Sequence, residues 1–447
     1  MSAMNIESVE RFELLPSNQP ANNTYSFKQG TPLITFNVGS VSKLLRASSV
    51  RINGEIEITS GSGAAANNNG LKTGTTVTIQ QNDRVGTNAI FQNVNISSND
   101  SNQTLESVRQ YGRMISTVVP SVQSEEDFLS HSGVVTKSTA QQSSADAQLN
   151  NKMAFSMRLF AGIMQSGTAI PMGVNGVRGL QISLELAPDQ QVLFGTDAAG
   201  SGGASYTVSN LSLSGEFLVP SPADMQKLSV PSSGALVFNT IQNLYSVINS
   251  SDATQTYNLA SGQVLSVFHN FLPVTHSNNY SQDGFKTAML KNTDATGATY
   301  DQDVVLKKVS FSRGGLKLGL DYELDEETQS TQGLPETGVV INALNSLQPY
   351  PSLSKMLNQP QLYPFGTKDL SVSGSSVQEL GTVDTARNFA IGLAMDRVSE
   401  QGIDFKGQSY ALRVQSTADG KSPMSVFTYY LAKNVLQYSP QGIMVSS

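Results

Sequence analysis

The sequence predicts an all-β protein in which one unit of about eight strands occurs twice along the chain. The first observation is strict alternation of apolar and polar residues in two runs, 153–159 and 179–187, which is typical of half-buried antiparallel strands. The second is the set of turn-forming residues, including Pro171 and Gly176, that separates these runs. The third is the return of similar runs about 230 residues later, which indicates an internal repeat.

Residues 1–30 are predicted to form an N-terminal arm ahead of the first unit. Ile6, Val9 and Phe12 recur at three-residue spacing, which fits a short amphipathic helix or an extended arm. A frayed terminus is an equally good interpretation of the same residues. An arm would contact a neighbouring copy, another protein or a membrane, and the segment is too short to decide between these partners.

Residues 31–220 are predicted to form the first unit. Its strands are expected at residues 32–38, 49–59, 75–80, 89–97, 153–159, 179–187 and 205–219. Residues 103–119 are predicted to be helical because apolar residues recur at helical spacing until Pro120 ends the run, although the start of this segment could pair as a strand. The polar segments 60–74 and 121–151 are predicted to be long surface loops.

Residues 221–233 are predicted to be a linker, and residues 234–447 the second unit. Strands are expected at residues 235–239, 264–273, 304–312, 316–324, 388–396, 409–416, 425–432 and 435–438, with a helix-like segment at 336–347. The matching segments are 155–162 with 389–396, 179–186 with 408–414, 205–219 with 425–438, and the helix-like 103–119 with 336–347. The predicted fold class is all-β: two consecutive eight-stranded jelly rolls, or similar sandwiches, with short helices and long loops.

The composition argues against a nucleic-acid-binding surface. Charged residues make up 14% of the chain, against about 25% in typical globular proteins. The net charge is −7 and no three basic residues are adjacent, whereas phosphate binding needs clustered Lys and Arg. We therefore expect no direct binding of nucleic acid.

The absence of cysteine excludes disulfides and thiolate metal sites. The N-terminal residues are acidic and mixed, unlike a signal peptide. No apolar run approaches the roughly 18–20 residues that a membrane span requires. These features predict a soluble protein that is made in a reducing cytoplasm.

The three histidines and one glycine–lysine pair are weak candidates for chemistry. His131 lies in a predicted polar loop, and His269 and His276 flank a strand end, where a spacing of seven places them on opposite faces. A metal site shared by His269 and His276 is therefore not predicted. Each of the three histidines is instead predicted to lie at the surface or in an interface. Residues 419–422 contain Gly-Lys, but Gln415 stands where a phosphate-binding loop needs glycine, so a hairpin turn is predicted.

The densest acidic cluster is residues 321–327. Asp321, Glu323 and Asp325 project from one strand face, which would suit Ca²⁺, but a solvated strand face and turn is the favoured interpretation. Asp301 and Asp303 form a weaker version of the same pattern.

The aromatic residues Phe427, Tyr429 and Tyr430 could form a sugar platform. Alternation instead buries Phe427 and Tyr429 together as core and turns Tyr430 to the opposite face. We expect the glycine- and asparagine-rich loops 60–74 and 277–298 to make exterior contacts. No catalytic, cofactor-binding or metal-ligating residue is predicted, so the chain is not expected to be an enzyme or to carry a cofactor.

The order of these signals resembles the double jelly-roll major capsid proteins of tailless icosahedral DNA viruses, in particular those of polinton-like viruses and virophages. The resemblance covers nearly the whole chain. Its segments are residues 48–54, 91–96, 105–113, 155–162, 170–171, 179–187 and 427–431. Each segment is weakly specific, and their order, spacing and duplication carry the resemblance.

The resemblance implies a structural protein located in the virion and assembled inside the host cell. Three copies would form a pseudo-hexagonal capsomer, which would contact neighbouring capsomers, penton proteins, minor or cement proteins and, through the N-terminal arm, an internal membrane. One alternative is a glycan-binding or carbohydrate-active double sandwich. A second is another virion component such as a vertex or spike protein, which the duplication disfavours.

Overall fold

The computed structural model describes residues 4–59, 70–73, 76–81, 85–122, 152–165, 169–195, 204–280, 284–285, 306–323, 369–373, 376–380, 391–395, 402–416 and 423–446. The strands of the N-terminal half are β1 (Ile6–Leu14), β2 (Thr24–Tyr25), β3 (Leu33–Val38), β4 (Leu44–Arg46), β5 (Arg51–Thr59), β6 (Gly70–Thr73), β7 (Thr76–Gln81), β8 (Phe91–Ser98), β9 (Thr104–Arg109), β10 (Lys152–Arg158), β11 (Ala169–Pro171), β12 (Leu180–Leu186), β13 (Leu193–Gly195) and β14 (Ser205–Pro220).

The strands of the C-terminal half are β15 (Gly234–Ile248), β16 (Asp252–Tyr257), β17 (Val264–Pro273), β18 (Leu306–Arg313), β19 (Leu316–Glu323), β20 (Asp369–Ser373), β21 (Ser376–Leu380), β22 (Ile391–Ala394), β23 (Tyr410–Ser416), β24 (Met424–Ser439) and β25 (Gly442–Ser446). The α-helices are α1 (Tyr111–Val122), α2 (Gly162–Gln165), α3 (Asp189–Val192) and α4 (Pro222–Ser229). Short 3₁₀ helices lie at Ala47–Ser49, Gly86–Ile90 and Val274–His276.

Each half folds as a sandwich of two antiparallel sheets with the same strand order. The first sandwich pairs its strands as β1-β14-β5-β10 and β3-β12-β8-β9, and the second as β15-β24-β17-β22 and β16-β23-β18-β19. Numbered along each sandwich, both follow the orders 1-8-3-6 and 2-7-4-5, which is jelly-roll topology. The predicted fold class is therefore confirmed, and the three matched pairs of strand segments occupy equivalent positions.

Alternation of side chains explains why these segments form sandwich strands. In β12, Leu180, Ile182, Leu184 and Leu186 are buried, while the residues between them are half-buried. A strand with one apolar face buries that face against the opposite sheet, and each such side chain contributes roughly 1.5–3 kcal/mol. The opposite sheet supplies the matching residues, and the buried apolar residues of the two sandwiches form one continuous cluster.

The structure corrects the predicted N-terminal arm. Residues 6–14 are β1, which pairs with residues 213–220 of β14 and is the first strand of the first sandwich. The three-residue spacing misled because residues three apart lie on one face of a helix but on opposite faces of a strand such as β1. Phe12 packs on the core, whereas Val9 faces outward with 52% of its surface exposed.

The helix predicted over residues 103–119 is a strand followed by a helix. Residues 104–109 form β9, as the alternative interpretation allowed, and α1 follows. Gln110 separates the two with a φ of 54°, a left-handed conformation that departs from the extended backbone of β9. The helix also extends past Pro120 to Val122. The matching helix predicted at residues 336–347 lies outside the described residues.

The predicted linker, residues 221–233, contains the helix α4. Ser221 caps the helix by accepting a hydrogen bond from the N–H of Asp224, and Pro222 takes the first helical position. Leu228 is buried. The connection between the sandwiches is therefore folded and packed, since turn-forming residues mark a helix start as well as a loop.

Candidate functional site

The candidate site is the seam, defined as the contact between the first sandwich and the outward face of the sheet β15-β24-β17. Every residue of β17 is buried, so both faces of this strand are covered. His269 points to the inner face, where its ring bonds Tyr410 of the opposite sheet. Its neighbour Phe268 points outward and stacks on Tyr429 with ring centroids 5.4 Å apart.

Aromatic residues of β24 bind the first sandwich directly. The hydroxyl of Tyr429 donates to the carbonyl oxygen of Gln110 at 3.0 Å. The guanidinium of Arg113, a buried residue of α1, lies 4.5 Å from the ring centroid of Phe427. A cation over an aromatic face at this distance is attractive, and more so when water is excluded. The seam thus combines apolar burial with directional contacts.

Glu106 of β9 joins three segments within the seam. Its carboxylate accepts hydrogen bonds from the backbone N–H groups of Gly162 (2.8 Å) and Ile163 (2.9 Å) in α2 and of Ile241 (2.6 Å) in β15. The side chain is buried, and burial raises its pKa to about 7, although the three N–H donors favour the ionised form. One carboxyl therefore ties both sandwiches together.

Gly162 allows α2 to lie against β15. A Cβ atom at this position would stand 2.6 Å from the carbonyl oxygen of Asn239 and 2.8 Å from the Cα of Thr240, both backbone atoms. Side chains do not fit at such distances, so only glycine permits this approach. The close approach also brings the N–H of Gly162 to Glu106.

A second joint lies around α4. The side-chain amide of Asn175 donates to the carbonyl oxygens of Lys227 and Val230 at 2.6 Å, and its oxygen accepts from the N–H of Ser232. The guanidinium of Arg178 donates to the carbonyl oxygen of Ser439 in the second sandwich at 3.3 Å. Asn175 thus fixes the connection to the first sandwich, and the nearby Arg178 of the first sandwich bonds the second.

A cleft of about 800 Å³ opens beside the seam. Its lining is rich in side-chain amides, including Asn93, Gln110 and Asn243, and contains the exposed ring of Tyr245. Glu185 lies on the same wall and accepts a hydrogen bond from Asn93 at 2.5 Å. The cleft therefore presents mainly neutral hydrogen-bonding groups, together with the charged residues Glu185, Arg109 and Arg113.

The histidines do not form a metal site in the part of the chain that the structure describes. His269 bonds Tyr410 at 2.7 Å and Thr428 at 2.9 Å inside the second core, and burial lowers its pKa to about 3, so it is neutral. His276 is also buried and lines the cleft. No group of three potential metal ligands occurs among the described residues. His131 lies outside them.

The prediction that these aromatic residues are packed in the core is confirmed. Phe427 and Tyr429 are buried together, with Tyr430 on the opposite face of β24. Tyr430 occupies the sandwich core, where its hydroxyl bonds the carbonyl oxygen of Leu259 at 2.9 Å. Phe427 and Tyr429 lie in the seam, because the first sandwich covers the face that they share.

The acidic candidates fall largely outside the described residues. Asp321 and Glu323 belong to β19, whereas residues 324–327, Asp301, Asp303 and the segment 419–422 are not described. The seam residues Glu106, Arg113 and Gly162 were missed by sequence analysis. A charged residue beside apolar ones looks the same whether it is solvated or buried in a contact between domains. The only local signal was Gly162 itself, because a glycine just after a predicted strand can mark a close approach of two backbones.

None of the described helices is long and apolar enough to cross a membrane. No family model matches the sequence, and no curated protein matches it. Solved structures do match. The PBCV-1 virus capsid protein has a TM-score of 0.55 at 12% identity, covering 100% of this chain and 98% of that one. The Faustovirus major capsid protein has a TM-score of 0.56 at 11% identity, covering 98% and 92%.

A third match, from the cryo-EM structure of the Sputnik virophage, has a TM-score of 0.53 at 11% identity and covers 100% of this chain and 89% of that one. The chain has the fold of viral double jelly-roll major capsid proteins. The resemblance predicted from the sequence is thereby confirmed for the fold, across both jelly rolls. At this level of identity the likeness establishes the double jelly roll and leaves the role of the chain to be argued from its surfaces.

Proposed function

We propose that this double jelly-roll protein is a major capsid protein, the repeated building block of an icosahedral virus shell. The observation that carries the proposal is the duplication: two sandwiches with identical strand order in one chain, held by a buried seam. Three copies with two sandwiches each would place six similar units around a ring. Such a ring is a pseudo-hexagonal tile, which packs against copies of itself to cover a surface.

A tile has to keep its shape while it binds neighbours, and the seam supplies that rigidity. Glu106, Arg113 and Tyr429 make directional contacts that hold the sandwiches in one arrangement. An apolar contact alone would permit sliding, whereas hydrogen bonds with fixed donors and acceptors define one geometry. The seam therefore supports a structural role.

The proposed partners follow from this role. The chain would bind itself as a homotrimer, then neighbouring capsomers, penton proteins and minor or cement proteins of a DNA virus. It would be located in the virion, after assembly inside the host cell, and would have no enzymatic activity and no direct contact with nucleic acid. A membrane contact through residues 1–30 is not part of the proposal, because residues 6–14 are a strand of the first sandwich.

Light scattering behind gel filtration tests the proposal directly. A mass near three times 47.7 kDa, with flat pseudo-hexagonal particles in negative stain, is the expected result. A chain that stays monomeric up to the highest soluble concentration, and forms no shell with its minor proteins, would overturn it.

The amide-rich cleft favours glycan binding as a second candidate function. Side-chain amides donate and accept hydrogen bonds, and an exposed ring such as Tyr245 provides a flat apolar surface, which together suit a neutral sugar. A glycan array probed with the purified chain separates this function from shell formation. Binding that is lost in Tyr245→Ala would place a sugar in the cleft.

A further inference from the structure

The cleft beside the seam continues into a second cleft of about 430 Å³. Ser107, Arg109 and Asn243 line both clefts, so the two form one groove, which we call the seam groove. One of its walls is β9 of the first sandwich and the other is β15 of the second, and each of these is an edge strand of its sheet. The seam groove therefore runs between two sheet edges.

β15 turns its backbone towards the seam groove. Three consecutive residues, Asn243, Leu244 and Tyr245, line the first cleft, although neighbouring side chains of a strand point to opposite faces. Leu244 packs on the core, whereas the side chain of Tyr245 is exposed. The backbone of this segment must therefore reach the cleft as well, since the side chains alone could not line it in succession.

The backbone N–H and C=O groups of Asn243 and Tyr245 point away from β24. In an antiparallel pair, every second residue bonds the partner strand with both groups, and the residues between point to the other side. Ile241 belongs to the second set, because its N–H bonds Glu106. Asn243 and Tyr245 follow at intervals of two, and the described residues supply no partner for their outward groups. Donors and acceptors at the spacing of a strand thus face the groove.

Two buried side-chain atoms of residues that line the groove also have no hydrogen-bond partner among the described residues. One is the side-chain oxygen of Asn434, a buried residue that lines the second cleft, and the other is the side-chain nitrogen of Gln191, which lines the first. Leaving a buried donor or acceptor without a partner is costly. An occupant that supplies donors and acceptors together, as peptide groups do, would remove this cost.

Arg109 is the charged residue of the groove that lacks a contact. It is exposed, and none of the described residues forms an ion pair or a hydrogen bond with its side chain. The other charged residues of the groove already have contacts: Arg113 lies over the ring of Phe427, and Glu106 and Glu185 accept hydrogen bonds. A carboxylate on the occupant would bind Arg109, because paired donors of a guanidinium match the two oxygens of a carboxylate.

We infer that the seam groove binds an extended segment of another protein, which adds to β15 as a strand and carries a carboxylate opposite Arg109. The inference goes beyond the proposed function, because it names a partner by its chemistry. Strand addition satisfies the outward backbone groups of Asn243 and Tyr245, and the side-chain amides of the groove supply further bonds.

The seam already shows how this edge is used. Glu106 meets the N–H of Ile241, the outward residue that comes directly before Asn243, and so takes the place of a strand there. The groove begins where this contact ends. A sugar would use the side-chain amides, whereas only another extended backbone matches outward groups that repeat at every second residue of β15.

The first test uses a library of short random peptides displayed on phage and selected against the full chain. We expect enriched peptides that contain β-branched residues and at least one acidic residue. The strongest peptide is then synthesised in two forms, each with every second backbone nitrogen methylated, in opposite registers. One form loses the N–H groups that face β15 and should bind at least about tenfold more weakly in calorimetry, whereas the other keeps them and should bind as the unmodified peptide does.

Asn243→Pro tests the same contact from the side of the chain. Proline has no N–H for the added strand, and at an outward position of an edge strand it leaves the bonds to β24 intact. We expect peptide binding at least about tenfold weaker. The matched control is Val237→Pro, at another outward and exposed residue of β15 that lines neither cleft, and it should leave peptide binding unchanged. Circular dichroism verifies that both variants are folded.

Arg109→Glu tests the charge without touching the backbone of β15. The selected acidic peptide should bind at least about tenfold more weakly at about 0.1 M salt, where surface charges are only partly screened. The control is Lys406→Glu, which reverses an exposed cation that lines neither cleft and should leave binding unchanged.

Selection of no peptide, equal binding of the two methylated forms, or an equal loss in a variant and its control overturns the inference, and a sugar that binds the groove in place of any peptide does so too. Light scattering identifies the source of the segment. If wild-type copies associate and Asn243→Pro alone abolishes that association, the occupant is a second copy and the inference is wrong. A chain that binds peptide and never associates overturns the proposed function and leaves the inference standing.

Discussion

β5 and β17 occupy the same position in two copies of one topology, yet their outward faces differ. β5 alternates between buried Ile52, Ile56 and Ile58 and half-buried polar residues, whereas all residues of β17 are buried. The topology is common to both, so it cannot explain the difference. What packs on the outer face explains it: the first sandwich covers β17, while β5 is open within the chain. The outer face of a sheet is thus apolar where another sandwich covers it and polar where it is open.

The largest effect that separates the two strands is expected from truncation of their outward side chains. Phe268→Ala should lower the free energy of unfolding by about 3–5 kcal/mol, because it leaves a cavity under Tyr429 in the seam. Glu57→Ala, on the matching face of β5, should change it by no more than about 0.5 kcal/mol. Unfolding in guanidinium chloride measures the free energy of both variants. Equal losses would show that the outer faces of β17 and β5 do not differ in their contribution to stability.

The next effect concerns the carboxyl that joins the sandwiches. The pKa of Glu106 is raised from 4.5 to about 7 in the folded chain, so the folded state holds the proton more tightly than the unfolded state. Its stabilisation is complete below pH 4.5 and is lost as the pH rises through 7, a loss of about 3 kcal/mol. Unfolding free energies measured from pH 4.5 to 8 should show this slope.

Glu106→Gln is the matched variant for this slope. The amide does not titrate, so the slope should disappear. An NH₂ group would then face a backbone N–H of α2, which should cost about 1–3 kcal/mol at low pH. A variant that keeps the wild-type slope would assign the titration to another group.

A smaller effect of opposite sign is expected from the core of the second sandwich. Burial lowers the pKa of His269 from 6.5 to about 3, so the stability it supports is present above pH 6.5 and is lost as the pH falls. The loss should reach about 2 kcal/mol at pH 5. His269→Gln should flatten this acid limb and leave the slope from Glu106 in place, and an unchanged acid limb would contradict the assignment.

The smallest effect is expected at the connection. Ser221→Ala removes the N-cap of α4 and should lower stability by about 1 kcal/mol. If α4 merely spanned the gap between sandwiches, the change would be undetectable in thermal unfolding. Ser232→Ala serves as the control, because Asn175 bonds the backbone of Ser232 and not its side chain.

Sequence analysis predicted the strands best where one face is buried. A strand was predicted at residues 179–187 from uninterrupted alternation, and the structure has one at Leu180–Leu186. Over residues 103–119 the favoured interpretation as one helix was wrong and the alternative, a strand that turns helical, is confirmed: Leu105 and Val108 belong to β9, while Tyr111 and Ile115 belong to α1. A three- to four-residue spacing across that junction resembles one helix. The break at Gln110 could not be predicted, because glutamine is not a residue type that indicates a left-handed conformation.

The seam itself could not be predicted. Glu106 accepts bonds from residues 56, 57 and 135 positions away, and nothing in one sequence ties these positions together. Phe427 and Tyr429 were correctly predicted to be buried, since aromatic residues on one strand face seldom face water. Whether a core or another sandwich buries them depends on how the two halves dock.

By itself, then, the sequence determined what is local: period-2 alternation set the strands and their inner faces, and its recurrence set two sandwiches of one plan. The tertiary structure alone decided the contacts between segments that are distant in the sequence. It made β1 a sandwich strand, turned the predicted linker into a packed helix, and buried the outer face of β17 while leaving that of β5 open. The physical reason is that alternation depends on neighbours along the strand, whereas the cover on a sheet face comes from residues far away in the chain.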